Sequence, residues 1–176
     1  MRSIKHKILF LSITALAATS LGWAQSDRPS PPAKAEVELK GKPITIQYSR
    51  PSIRGRKIMG SLVPYGEVWR TGANEATALT TGVDLEIGGT LVPAGSYTIY
   101  SLPSEGTWKL IINKQTGQWG TDYDQAQDLA RIDLLKSTLP SPREQFTIEF
   151  VKKSADAADL VLEWEKTKLS VPVRAK

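Results

Sequence analysis

The sequence predicts an all-β protein, a single antiparallel β-sandwich or jelly roll of about nine or ten strands with short helical turns. Short segments alternate apolar and polar residues with period two, and clusters of Gly, Pro, Asn and Ser separate them at close intervals. No segment holds an apolar helical period over the roughly ten to twelve residues that a regular helix needs.

The elements follow in order. AEVELKG ends in Gly41, and ITIQYS sets Ile44, Ile46 and Tyr48 against Thr45, Gln47 and Ser49, a half-buried strand. Arg50-Pro51-Ser52 breaks it. Residues 54–77 are too dense in Gly, Pro, Asn and aromatics for a regular element, and read as a structured loop. ATALTT and VDLEI are strands, and Gly88-Gly89 suits a tight hairpin turn before TLV. Pro93-Ala94-Gly95 makes a second turn ahead of the strand over residues 97–102. TWKLIIN alternates again, residues 118–120 are irregular, and RIDLLKS, EQFTIEFVK, DLVLEWEK and KLSVPVR supply four further strands. Two helical turns are expected, one in residues 122–130 capped by Asp122 or Asp124, the other in 154–158 capped by Ser154.

The N-terminus has Arg2, Lys5 and Lys7, an apolar run over residues 8–21, and Gly22 and Ala24 placed for cleavage before Gln25. These are the parts of a secretory signal peptide, and the run falls short of the roughly 20 residues of a membrane span. The expected organisation is a signal peptide over 1–24, a disordered Pro-rich lead-in over 25–34 and one domain over 35–176. The expected location is the periplasm or the exterior, with no membrane span after cleavage.

Removing the leader takes the formal charge from +5 to +2 and removes His6, the only histidine; there is no cysteine. Basicity therefore gives no argument for nucleic acid. Zinc fingers, His metal sites, Ser-His-Asp and Cys-His triads and Cys-ligated clusters are excluded. No cofactor or metal is expected, and the sequence leaves oligomeric state open. Residues 25–70 carry nine basic and four acidic side chains, while 71–176 carry eleven and fourteen; the positive half could frame an anion site, and surface scatter accounts for the asymmetry equally well.

The chemistry concentrates in residues 54–77. Arg54, Arg56 and Lys57 lie close together, followed by Tyr65, Glu67, Trp69, Arg70, Asn74 and Glu75. Arginine presents a planar donor fork to an oxyanion, and Trp and Tyr present faces. The expected ligand-binding residues are Arg56, Tyr65, Trp69, Arg70, Asn74, Glu75 and Trp119. A scaffold reading competes, in which Arg70 pairs with Glu67 or Glu75 and Trp69 caps the core. Trp108 and Trp164 fall on inward positions of alternating strands and read as core. The glycines match no nucleotide-binding fingerprint. Asp122, Asp124 and Asp128 lack the Gly and terminal Glu of a calcium loop, so capping is the simpler reading.

The order of these motifs resembles a known family. YSRPSIRGRKIMGSLVPYGEVWRTGANEAT, IGGTLVPAGSYTIYSLP, TWKLIIN, QWG and LEWEKTKLSVPV are similar to exported bacterial proteins grouped as domain of unknown function 2911. The matching positions include Arg50, Gly55, Arg56, Gly60, Pro64, Tyr65, Gly66, Trp69, Arg70, Gly72, Ala73, Asn74, Glu75, Trp119 and Gly120. The resemblance runs from about Ala35 onward. It implies an extracytoplasmic protein of Gram-negative bacteria and supplies no catalytic roles.

The expected function is binding of a small polar or anionic ligand such as a glycan fragment. Two alternatives stand beside it: a His-free, carboxylate-based hydrolase or lyase acting on envelope carbohydrate, and a structural or interaction module of the cell envelope. The sequence leaves catalytic activity undecided.

Overall fold

The computed structural model describes residues 28–176, so the expected signal peptide lies outside the described residues. Nine strands follow one another: β1 (Pro32–Leu39), β2 (Lys42–Ser49), β3 (Thr77–Thr81), β4 (Leu85–Ile87), β5 (Thr90–Val92), β6 (Gly95–Leu102), β7 (Trp108–Asn113), β8 (Asp128–Lys152) and β9 (Ala157–Ala175). They form one antiparallel sheet in the order β1-β2-β3-β6-β7-β8-β9-β4-β5. The sheet turns back on itself through β8. The first part of β8 pairs with β7, and the remainder pairs with β9. The architecture is all-β and consistent with a sandwich.

Alternation decides which side of each strand is buried. Ala35, Val37 and Leu39 of β1 and Ile44, Ile46 and Tyr48 of β2 enter the core, while Glu36, Glu38 and Gln47 stay exposed. Lys40 and Gly41 join the strands with φ of 49° and 70°. Two positive φ values give a turn whose twist matches the strands it connects. The Gly88–Gly89 turn between β4 and β5 repeats that geometry, at φ 54° and 83°. β1 starts at Pro32, inside the stretch expected to be lead-in, because residues 32–34 already pair with 47–49 of β2.

The largest departure from the expected elements concerns the long strands. RIDLLKS and EQFTIEFVK are one strand, β8, and DLVLEWEK and KLSVPVR are one strand, β9. The register jumps from Thr138 opposite Thr167 to Arg143 opposite Glu165, and again to Thr147 opposite Glu163. Residues 139–142 stand off the ladder as a bulge, so Pro140 and Pro142, which have no N–H to donate, interrupt nothing. On β9 the backbone answers at Glu165, whose φ is 53°. The expected helical turn after Asp122 is a short 3-10 turn, Gln125–Gln127, and the Asp124 side chain caps it by accepting from Ala126 N at 2.9 Å. Ser154 caps a bend, accepting from Asp156 N at 3.3 Å.

Strand β6 is buried on both faces from Tyr97 to Ser101. One face meets the core through Ile99. Over the other, residues 114–124 are tied down, the Thr98 hydroxyl donating to Gln115 O at 2.8 Å and the Tyr100 hydroxyl to Asp122 O at 3.3 Å, while beside the strand Trp69 exchanges backbone hydrogen bonds with Ser101. Thr77 of β3 lies opposite Ile99, yet two residues further along β6 it is Trp69 that pairs with Ser101. Residues 70–76 are therefore a detour between two positions beside the same strand, and the arginine-rich loop hangs from it.

Candidate functional site

The detour is wound tightly. Thr71, Gly72 and Asn74 take φ of 54°, 155° and 61°. A β-branched residue rarely enters the left-handed region. Thr71 is held there while fully buried. Its hydroxyl bonds to Ser101 Oγ at 3.0 Å, and its carbonyl accepts from Thr77 Oγ1 at 2.8 Å. The consequence is local: Arg70 leaves the chain between a residue pinned to β6 and a residue pinned by its own side chain.

Residues 118–120 close over this detour. Gly120 N donates to Asn74 O at 3.0 Å, Ala76 N donates to Gln118 O at 3.2 Å, and Glu75 bridges to Trp119. Asn74 Nδ2 also reaches Ser30 O at 3.3 Å, drawing in the start of the described chain.

The result is a cleft of about 380 Å³ whose walls include Arg56, Trp69, Arg70, Tyr100, Tyr123 and Trp164. Gly120, Thr121, Ser30, Leu62 and Pro64 complete most of its rim. This is within the size range of small-molecule sites. Its aromatic wall is rigid. Trp69 stacks on Trp164 with centroids 5.7 Å apart, and both meet Phe146 edge-on at 5.0 and 5.9 Å. Tyr100 and Tyr123 meet edge-to-face at 4.9 Å.

No aspartate or glutamate lines the cleft. Arg70 forms no ion pair among the described residues; its Nε donates to Gly72 O at 3.3 Å, and neither terminal nitrogen finds a protein acceptor there. The scaffold expectation that Arg70 pairs with Glu67 or Glu75 is thus corrected. Glu75 is taken by Arg28, at 2.8 and 3.1 Å. Arg56 spends Nε on Ile53 O at 3.0 Å and Nη2 on Ser52 O at 2.6 Å, and Nη1 stays without a protein partner among the described residues.

Behind the aromatic wall, the Tyr123 hydroxyl donates to Asp128 Oδ2 at 2.6 Å and accepts from Arg131 Nη2 at 2.8 Å. Burial, reinforced by that bond to Asp128, pushes Tyr123 up to about 12. Burial also raises Tyr100. Both phenols keep their protons at neutral pH. Glu75 is held below the usual carboxylate range by hydrogen bonds from its own backbone N–H and from Arg28, which suits a standing anion and not a proton donor.

Of the seven expected binding residues, the structure brings Arg56, Trp69 and Arg70 into one cleft. Asn74 and Trp119 support its edge through the backbone pairing just described. Tyr65 lies over Gly60, where a β-carbon would come within 3.0 Å of its ring. Glu75 lines a different depression, a groove of about 510 Å³ on β1, β2 and β3 with Lys34, Gln47 and Ala78. That groove is larger, but its charges are already matched, Glu75 to Arg28 and Lys34 to Glu36. It has no unmatched charge with which to read a ligand. Trp108 is core, as expected; Trp164 is core and cleft wall together. Neither Tyr100 nor Tyr123 is among the expected binding residues, although Tyr123 belongs with Trp108, Trp119 and Trp164 to the aromatic residues that the sequence brings to notice; they reach the cleft from β6 and from the segment after β7. The short interval from Trp119-Gly120 to Tyr123 was the one available hint.

Among the described residues, no group of three or more Asp or Glu is placed to hold a metal ion, and no helix is long and apolar enough to cross a membrane. Asp124 and Asp128 are occupied by capping and by the Tyr123–Arg131 pair.

A family model described as a protein of unknown function, DUF2911, matches residues 30–173. No curated protein and no solved structure matches the chain.

Proposed function

The chain belongs to the DUF2911 family, and from that premise we propose that it binds a small anionic ligand in the cleft beside Arg70. One observation carries the reading: the cleft wall contains two guanidinium groups and no carboxylate. A half-buried cation without a protein counter-charge is costly unless water or a ligand satisfies it. An oxyanion fits the planar fork of Arg70, and the stacked indoles exclude solvent on the adjoining side. The basic leader and short apolar run support action outside the cytoplasm, in the periplasm or beyond.

A carboxylate-pair hydrolase finds less support, since such chemistry needs two carboxyl groups facing one bond. Glu75 lies in the other groove and is committed to Arg28.

The test is thermal unfolding against a panel of acetate, benzoate and inorganic phosphate. At least one anion should raise the transition of the native protein and leave that of Arg70→Gln unmoved. A transition indifferent to every anion, or equally shifted in Arg70→Gln, refutes anion binding at this cleft.

A further inference from the structure

The wall of the anion cleft has an unusual balance of donors and acceptors. The polar atoms of three of its four aromatic side chains are already engaged, and the Trp69 indole N–H is one more donor without a protein partner among the described residues. Tyr100 Oη accepts from Gln118 Nε2 at 3.1 Å and donates to Asp122 O, and Tyr123 Oη is held between Asp128 and Arg131. Trp164 Nε1 donates to Glu144 O at 3.2 Å. What the wall offers a ligand is carbon surface, that of the partly exposed Trp69 and Tyr123, with Trp164 and Tyr100 buried behind them. Three carbonyls beside Arg70 are engaged too, Gly72 O by Arg70 itself, Asn74 O by Gly120 N and Trp69 O by Ser101 N. No Asp, Glu, Asn or Gln side chain lines the cleft. Among the described residues, the donors left without a protein partner include both terminal nitrogens of Arg70 and Nη1 of Arg56; the side-chain acceptors left on the wall are the hydroxyls of Ser30 and Thr121.

A carbohydrate is a poor complement to such a wall. Each sugar hydroxyl brings a proton that needs an acceptor once water is removed, and carboxylates and amides usually supply it. This wall asks for the reverse, a molecule with acceptors at one end and few protons to donate elsewhere. The flat carbon surface of Trp69 and Tyr123, backed by the buried Trp164 and Tyr100, would be matched by an equally flat apolar body.

We propose that the cleft takes a carboxylate carried on a flat apolar body, an aryl carboxylate or a similarly unsaturated organic acid, in preference to a glycan. This rests on the anion-binding reading above and narrows it.

Isothermal titration of the protein with four probes tests the two levels separately: 2-naphthoate, acetate, glucuronate and the neutral 2-naphthamide. We expect 2-naphthoate to bind at least about tenfold tighter than each of the others, with Arg70→Gln losing about tenfold or more for 2-naphthoate. Arg70→Lys, which keeps the charge and loses the fork, should fall between, and serves if the glutamine variant does not fold. Glucuronate binding as tightly as 2-naphthoate, or acetate doing so, overturns the apolar-body proposal and leaves anion binding standing. Equal binding of 2-naphthamide and 2-naphthoate overturns the anion reading, and the proposal with it. Absence of measurable binding by every probe overturns both.

Discussion

Gly120 lies so close to Arg70 that a β-carbon on the glycine would stand 2.8 Å from Arg70 Cδ, and 2.6 Å from the carbonyl oxygen of Asn74. The first contact is with the stem of a long side chain, which can swing aside. The second is with backbone held by the Gly120 N–H itself, and cannot. Gly120→Ala should therefore cost about 1–3 kcal/mol of stability, as overpacking typically does, and displace Arg70 from the cleft. Chemical denaturation and titration with the tightest anion probe would check both effects. Unchanged stability together with unchanged affinity would show that the close approach does not position Arg70.

Tyr123 makes the protein sensitive to alkali. An unperturbed tyrosine ionises near pH 10, whereas burial and the bond to Asp128 hold this one up to about 12. The folded state keeps a proton that the unfolded chain gives up. Its contribution is fully present below about pH 10 and is lost as pH rises towards 12. Ultraviolet titration of tyrosinate should show a late phase that Tyr123→Phe removes, with a shallower alkaline loss of stability in that variant. Persistence of the late phase in Tyr123→Phe would assign it elsewhere.

Glu163 is a carboxylate on a wholly buried stretch of β9, 4% exposed, held by Arg143 at 2.6 and 3.1 Å and by Lys168 at 3.6 Å. Arg143→Ala leaves it with Lys168 alone. Because the Arg143 side chain is about half exposed, water replaces part of what is lost. The expected cost is about 1–2 kcal/mol, below the 3–5 kcal/mol typical of a fully buried pair. In a Glu163→Gln background the same substitution should cost much less. Equal costs in both backgrounds would mean the pair is not coupled.

What the sequence made legible is what neighbouring residues decide. The Gly88–Gly89 turn, the alternation of Ile44, Ile46 and Tyr48, and the Asp124 cap each depend on a few adjacent positions, and each is present. The continuity of β8 was not legible, because two prolines in LPSPR read locally as a stop, and only the pairing with β9 reveals that the ladder resumes beyond them. The cleft was half legible. Its cations come from one loop, so Arg56 and Arg70 stood out; its aromatic wall is assembled from β6, β9 and the segment after β7, which are distant in the chain. The rerouting of Glu75 to Arg28 was invisible for the same reason, since the two are 47 residues apart.

The sheet order also imposes a timetable on the chain's biogenesis. Among the strands, β4 has only β5 and the end of β9 as ladder partners, with Leu85 opposite Ala175 and Ile87 opposite Val173. Residues near the middle of the chain thus wait for residues at the far end of β9 before their edge is covered. An isolated two-stranded hairpin is marginal in water, so β4 and β5 gain little by forming early. During synthesis the closing ladder cannot form before Val173–Ala175 have emerged. The pairing that covers β4 is therefore among the last contacts that a growing chain can make.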